Sequence, residues 1–135
     1  MQLAELKDTF SFFDSWEDKY RFVIDLGRDL PALDECDKLD ANLIRGCQSQ
    51  VWMVATYDKN TNTLSLRIDS DAHIVRGLIA IVLTAYSKLS PAEILEFDIE
   101  GLFEELQLLQ HLSPTRGNGL LAMVARIRHA ARDYE

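Results

Sequence analysis

The sequence predicts an α+β fold in which a small antiparallel sheet packs against several helices. Residues 51–57 are rich in β-formers, and Leu64, Leu66 and Ile68 alternate with polar residues beyond a polar turn at 58–62. Apolar residues elsewhere recur at helical spacing, and helix-start signals precede several of these segments. Because the 135 residues contain no repeat, low-complexity tract or linker, we expect one domain over residues 1–135.

Two helices are expected before the sheet. Residues 2–13 are amphipathic, and a second helix begins at Ser15, an N-cap residue with Asp18 at the third helical position. Gly27 is its predicted end, before a turn at residues 30–31. The apolar face of this second helix is predicted to consist of Trp16, Tyr20, Val23, Ile24 and Gly27. The charged segment 34–42 is predicted to be an exposed loop.

A central helix is expected directly after the second strand. Residues 69–71, Asp-Ser-Asp, are predicted to end the strand and to cap a helix from about residue 72 to 87. The apolar residues of this helix cover a broad face, which is typical of a core helix.

Shorter helices are expected towards the C-terminus. Residues 90–93, Ser-Pro-Ala-Glu, combine an N-cap, a proline at the first helical position and a capping-box glutamate. A further helix is predicted at about 99–108, and Ser113-Pro114 begins the last one. Gly117 and Gly119 weaken the helix propensity near its start.

The composition excludes several classes of function. The chain has 22 acidic and 14 basic residues and a formal net charge of −8, so it lacks the basic surface that nucleic-acid binding requires. No apolar run approaches the roughly 20 residues needed to span a bilayer. The first residues also lack the features of a signal peptide. We therefore expect a cytoplasmic protein that binds neither membrane nor nucleic acid.

The two cysteines, Cys36 and Cys47, indicate thiol chemistry rather than a disulfide framework or a metal site. Two cysteines in a reducing compartment do not form such a framework. No C-x-x-C pair occurs, and the three histidines (His73, His111, His129) lack metal-ligand spacing. Cys36 is interpreted as an incidental thiol, with the alternative that it forms a disulfide with an oxidised Cys47.

Cys47 stands between Gly46 and the polar triplet Gln48-Ser49-Gln50, just before the first strand. Glycine gives the backbone freedom at a turn, and Arg45 is expected to favour the reactive thiolate. We also hypothesise that residues 51–53 form an apolar wall that shelters the thiol, and that Gly46 lets the loop swing out on docking. The alternative to this shelter is a permanently exposed thiol on a static loop. The alternative to a functional thiol, from local chemistry alone, is a buried, inert cysteine.

The segment Gly46-Cys47-Gln48-Ser49-Gln50-Val51-Trp52 is similar to the cysteine motif of the SufE family. Three further segments agree with that family in order and spacing, so the resemblance extends from about residue 10 to residue 130. They are Trp16–Tyr20 with Leu26-Gly27 and Leu30-Pro31, Asp69–Ala72 with Ile74-Val75 and Gly77-Leu78, and His111–Arg116 with Gly119-Leu120 and Ala122-Met123.

The resemblance implies a fold like that of the IscU scaffold and a function in sulfur transfer. SufE proteins accept persulfide sulfur from the cysteine desulfurase SufS, stimulate it, and pass the sulfur to the SufBCD scaffold complex for iron–sulfur cluster assembly. Cys47 is then the persulfide-bearing residue, while Gly46, Gln48, Asp71 and Arg116 shape its loop or bind the partner. Asp71 is expected in the first turn of a helix. The resemblance implies no cofactor for this chain, since pyridoxal phosphate belongs to the desulfurase.

Alternatives remain open at the level of the sequence. The Gln48-Ser49-Gln50 triplet favours SufE over the paralogous CsdE proteins, which serve another desulfurase. A thiol hydrolase would pair Cys47 with a histidine such as His73 or His111. A third class is a binding module that activates a desulfurase without using Cys47. The sequence does not determine the oligomeric state, and a homodimer stays open.

Overall fold

The computed structural model describes residues 1–134, which form two strands, seven α-helices and two 3-10 turns. The predicted α+β fold with a small antiparallel sheet is confirmed. The strands are β1 (Val51–Asp58) and β2 (Thr63–Ser70). The helices are α1 (Leu3–Phe12), α2 (Trp16–Arg28), α3 (His73–Tyr86), α4 (Pro91–Glu96), α5 (Ile99–Glu105), α6 (Leu108–His111) and α7 (Pro114–Arg132). The charged segment after α2 contains the 3-10 turns at Glu35–Asp37 and Asp40–Asn42.

The two strands pair antiparallel along their full length, with Val51 opposite Ser70 and Asp58 opposite Thr63. Met53 and Ile68 lie opposite each other in the two strands, so their side chains point to the same face of the sheet. Both side chains are buried, which identifies this face as the one that packs on the core. The predicted strand alternation is therefore correct, and β2 extends to Ser70.

Helix α3 is the buried central helix, as its broad apolar face predicts. Helix α2 packs closely across it where two glycines meet. A Cβ atom on Gly27 would lie 2.6 Å from the backbone nitrogen of Gly77, so this crossing requires glycine. Gly27 is thus a buried packing residue and α2 continues to Arg28, one residue beyond the predicted end. Tyr20, predicted on the apolar face, is 39% exposed.

The junction between β2 and α3 differs from the prediction. The N-cap of α3 is Ala72, without a side-chain hydrogen bond, so the residue 69–71 segment does not cap this helix. Asp69 is instead buried, where it accepts a hydrogen bond from the Leu33 backbone N–H at 3.0 Å and pairs with Arg76. Buried charges require such partners, and this pair fixes the end of β2 to the first turn of α3.

The C-terminal helices follow their predicted start signals. Ser90 and Glu93 form the complete capping box, and Ser113 accepts a hydrogen bond from the third residue of α7. The single helix predicted at 99–108 is divided into α5 and α6, because Gln107 has a left-handed backbone with φ of 58°. Of the helices formed by residues 1–134, none combines the length and apolar character that crossing a membrane requires.

Candidate functional site

Cys47 lies on a loop whose two ends are joined just before β1. The backbone N–H of Ile44 donates to the carbonyl oxygen of Val51 at 2.8 Å, and Leu43 forms an isolated antiparallel bridge with Trp52. Residues 45–50 therefore project as a closed loop from the edge of the sheet.

Gly46 turns this loop with a backbone φ of 90°, a conformation that side chains with a Cβ atom rarely adopt. A Cβ atom at this position would also lie 3.3 Å from the Cβ atom of Ala122 in α7. The predicted role of Gly46 as a turn residue thus has a local and a tertiary reason.

The thiol of Cys47 points towards helix α7. Its Sγ donates to the carbonyl oxygen of Gly119 at 3.4 Å, and the residue is partly buried. A Cβ atom on Gly119 would lie 3.7 Å from both Cα and Sγ of Cys47. The absence of a side chain at Gly119 therefore leaves open space directly beside the sulfur atom.

A small cavity of about 20 Å³ adjoins this thiol, and nearly all of its surface is apolar. The loop, strand β1 and helices α3 and α7 line it. Its lining residues are Cys47, Gln48, Ser49, Val51, Val75, Leu78, Thr115, Arg116, Gly119, Leu120 and Met123. The cavity holds roughly one water-sized group.

Burial raises the pKa of the Cys47 thiol above its ordinary value, because the thiolate loses hydration in this apolar surrounding. The expectation that Arg45 favours the thiolate is therefore wrong for the free protein; Arg45 is exposed. The thiol is partly buried, as the shelter hypothesis expects, although of residues 51–53 only Val51 lines the cavity. The Nζ atom of Lys38 lies over the ring of Trp52, 5.4 Å from the ring centroid. Met53 belongs to the hydrophobic core.

Asp71 fastens the end of the cysteine loop. Its Oδ1 accepts from the backbone N–H of Gln50 at 3.1 Å, and its own N–H donates to the Gln50 carbonyl oxygen at 3.3 Å. The prediction that Asp71 lies in the first turn of a helix is wrong, because it precedes Ala72, the N-cap of α3. Its position is instead explained by this reciprocal pair with the loop.

Arg116 lies in the first turn of α7, where its backbone N–H donates to Ser113 Oγ at 3.2 Å. Its side chain is partly buried and lines the cavity beside Cys47. The Nη1 atom is buried and has no hydrogen-bond partner within residues 1–134. Cys47, Gln48 and Arg116 thus meet at one cavity, while Gly46 and Asp71 hold the two ends of the loop.

The remaining candidate residues lie elsewhere. His73 is exposed at the start of α3, and His111 stacks on Trp16 with ring centroids 4.5 Å apart. Neither histidine lines the Cys47 cavity as described for residues 1–134, so the pairing that a thiol hydrolase needs is not formed. Cys36 is exposed in the first 3-10 turn.

Within residues 1–134, one group of side chains could approach a metal ion, and of its three members Asp34 and Cys36 are exposed and Asp37 is partly buried. Donor atoms of Asp34, Cys36 and Asp37 lie within 4.8 Å of one another. Exposed acidic groups often cluster without a metal, and we assign no metal site to them.

Comparison with known proteins decides the family. The sequence model of the SufE family, described as an Fe-S metabolism associated domain, matches residues 4–131. The chain belongs to the SufE family. This membership gives the coarse function: the protein is a sulfur acceptor that acts with a cysteine desulfurase.

Relatives support the assignment to the SufE family over nearly the whole chain. An uncharacterised SufE-like protein of Rhizobium meliloti is 45% identical over 131 residues, covering 96% of this chain and 94% of its own. A second SufE-like protein, from Rhizobium etli, is 46% identical over 132 residues, and the match covers 96% of this chain and 89% of that protein. The solution structure of a hypothetical protein from Thermus thermophilus has a TM-score of 0.77 at 18% identity, covering 98% of this chain and 94% of its own. That structure shows the shared fold.

Proposed function

We propose that Cys47 accepts the persulfide sulfur of a SufS-type cysteine desulfurase in the cytoplasm and passes it to the SufBCD scaffold complex. One observation carries this proposal. In a SufE-family chain, a partly buried thiol lies on a loop that turns at glycine, beside a cavity with room for about one further atom.

The proposed reaction is a transfer of one sulfur atom between two cysteines. The Cys47 thiolate attacks the outer sulfur of the desulfurase persulfide and forms a new S–S bond. The S–S bond of the desulfurase breaks, and its cysteine leaves as a thiolate with the electron pair of that bond. No external oxidant or reductant is consumed. Pyridoxal phosphate chemistry belongs to the desulfurase, and this chain supplies the accepting thiol.

The resting geometry of Cys47 requires a movement before this attack. In the free protein its thiol contacts the Gly119 carbonyl, and burial raises its pKa, so little thiolate is present at neutral pH. Displacement of the loop on docking moves the thiol into the partner's active site and removes the desolvation. Gly46 and Asp71 determine how easily the loop leaves, and exposed Gln48 contacts the partner.

Intact-mass spectrometry tests the proposal directly. The protein is incubated with cysteine and a SufS-type desulfurase, and the extra sulfur is mapped after alkylation. We expect one added sulfur on Cys47, retained in the Cys36→Ser variant and absent from Cys47→Ser. Sulfur found mainly on Cys36, or full stimulation of the desulfurase by Cys47→Ser, would contradict the proposal. A parallel incubation with a CsdE-dependent desulfurase identifies the preferred donor.

A further inference from the structure

Arg116, which lines the cavity beside Cys47, has one feature that transfer of sulfur to the thiol does not use. The Nη1 atom of Arg116 is buried without a hydrogen-bond partner in the described chain, and Cys47 Sγ is among the atoms it does not bind. A buried donor without a partner destabilises the folded state, and it does so more strongly when the group is charged. Such an atom calls for a ligand or a bound solvent molecule.

The size and surface of the cavity favour a particular occupant. Its volume of about 20 Å³ exceeds the roughly 10–15 Å³ that one water requires. A stable buried water needs two to four polar partners, but nearly all of this surface is apolar. A single sulfur atom is slightly larger than water, is polarisable, and packs well against apolar groups.

The proposed function places such an atom here. A persulfide adds one sulfur to Cys47 Sγ, and the open space beside Gly119 is next to that atom. A terminal persulfide sulfur is more acidic than the thiol from which it forms, so at neutral pH it carries a negative charge. An anion in an apolar cavity needs a cationic donor.

We propose that Arg116 is the binding residue for the terminal sulfur of the Cys47 persulfide, which occupies the cavity while its Nη1–H donates to the sulfur anion. The inference rests on the proposed function of Cys47 and adds a ligand to it. Arg116 stabilises the loaded protein and not the sulfur-free thiol, because its Nη1 atom forms no hydrogen bond with Sγ, which contacts the Gly119 carbonyl oxygen instead. The first turn of α7, with its positive end of the helix dipole, adds to the same effect.

The test loads sulfur without a desulfurase, so its result does not depend on the physiological donor. In a Cys36→Ser background, Cys47 is converted to a mixed disulfide with an aromatic thiol, and hydrosulfide then displaces the aromatic thiolate to leave the persulfide. Alkylation by iodoacetamide is followed by intact mass across pH, for loaded and unloaded protein. Arg116→Met and Arg116→Lys are compared with Arg132→Met, an exposed arginine in the last turn of the same helix.

We expect Arg116→Met to move the persulfide midpoint upward by about one pH unit, a tenfold weaker acid, without moving the thiol midpoint. Arg116→Lys keeps the charge but not the fork of donors, so its shift is smaller. Arg132→Met changes neither midpoint. An unchanged persulfide midpoint in Arg116→Met, or equal movement of both midpoints, overturns the proposal.

A measurement on the unsubstituted Arg116 covers the case in which its variants fail to fold. Guanidinium ¹⁵N resonances are recorded before and after chemical loading. We expect the Arg116 Nη signals to shift and their hydrogens to exchange more slowly in the loaded protein, while those of Arg132 stay constant. Identical Arg116 signals in the two forms would show a cavity occupied by water alone. Failure of the proposed function is seen separately, as an absence of sulfur on Cys47 after incubation with the desulfurase.

Discussion

The Sγ atom of Cys47 lies 3.4 Å from the carbonyl oxygen of Gly119, and these residues are 72 positions apart in the chain. The contact places the thiol against a helix at a point where that helix has no side chain. Since Gly119 is inside α7, it weakens the helix by about 0.5–1 kcal/mol relative to alanine. We infer that this loss in helix stability is tolerated because glycine at this position leaves space for a sulfur atom beside Sγ.

Gly119→Ala is predicted to stabilise the fold and impair loading. The new methyl group would contact Sγ at 3.7 Å, which is tolerated in the sulfur-free protein, but it occupies space beside the thiol. Overpacking costs about 1–3 kcal/mol, so we expect about a tenfold lower equilibrium level of Cys47 persulfide. Gly117→Ala is the matched control, because it lies in the same helix and its methyl group faces Leu109. Equal loading of the two variants would contradict the prediction.

Gly46→Ala is predicted to destabilise the protein by about 1–2 kcal/mol, since a residue with a Cβ atom is strained at the observed φ. Displacement of the loop should also accelerate alkylation of Cys47. Urea unfolding and iodoacetamide kinetics measure the two effects. The added methyl group also meets Ala122, and the Ala122→Gly variant relieves this contact. A double-mutant cycle that recovers all the lost stability would show that the contact dominates, and not the backbone strain.

Much of the fold could be predicted from sequence because its signals are local. Ser15 and Ser113 each cap the helix that follows, and Ser90 completes a capping box with Glu93. Strand alternation over residues 64–68 likewise depends on neighbouring residues. The sequence does not predict the split between α5 and α6. Gln107 adopts a left-handed backbone conformation there, although glutamine is a residue that favours helices.

The site could be predicted only in part because its geometry depends on distant contacts. The cysteine motif identified Cys47, but not that its thiol reaches Gly119. Asp71 was placed in a helix, whereas it accepts from Gln50, which is 21 residues away. One signal was available: two glycines near the start of a helix are unfavourable unless another chain segment approaches closely. Gly119 is where that approach occurs.

Asp71→Ala is predicted to loosen the cysteine loop. It removes the acceptor for the Gln50 N–H, which is worth about 0.5–1.5 kcal/mol. We expect a similar loss of stability and a several-fold faster reaction of Cys47 with iodoacetamide in the absence of desulfurase. Asp71→Asn is the control, because its amide oxygen still accepts this hydrogen bond. Slow alkylation in both variants would mean that the contact with Gly119 alone retains the loop.

The raised pKa of the Cys47 thiol makes both reactivity and stability depend on pH. Below the pKa of the unfolded thiol, Cys47 is protonated in both the folded and the unfolded state. Burial of the neutral thiol then makes its full contribution to the free energy of unfolding. As pH rises above that value, the unfolded state loses its proton first, so folded stability falls until pH passes the higher folded pKa. We expect the free energy of unfolding to fall with alkaline pH more steeply in the Cys36→Ser protein than in the Cys36→Ser, Cys47→Ser protein.

The same shift predicts the reactivity of Cys47 before and after docking. In the free protein, alkylation should have its midpoint above that of a small peptide thiol, because burial disfavours the thiolate. Addition of desulfurase, with its own reactive cysteine blocked, should lower the midpoint and raise the rate at neutral pH, since the loop leaves the cavity. The Cys36→Ser background restricts the measurement to Cys47. A free protein that alkylates as fast as the peptide thiol, with no change on adding desulfurase, would show that the thiol is not sheltered.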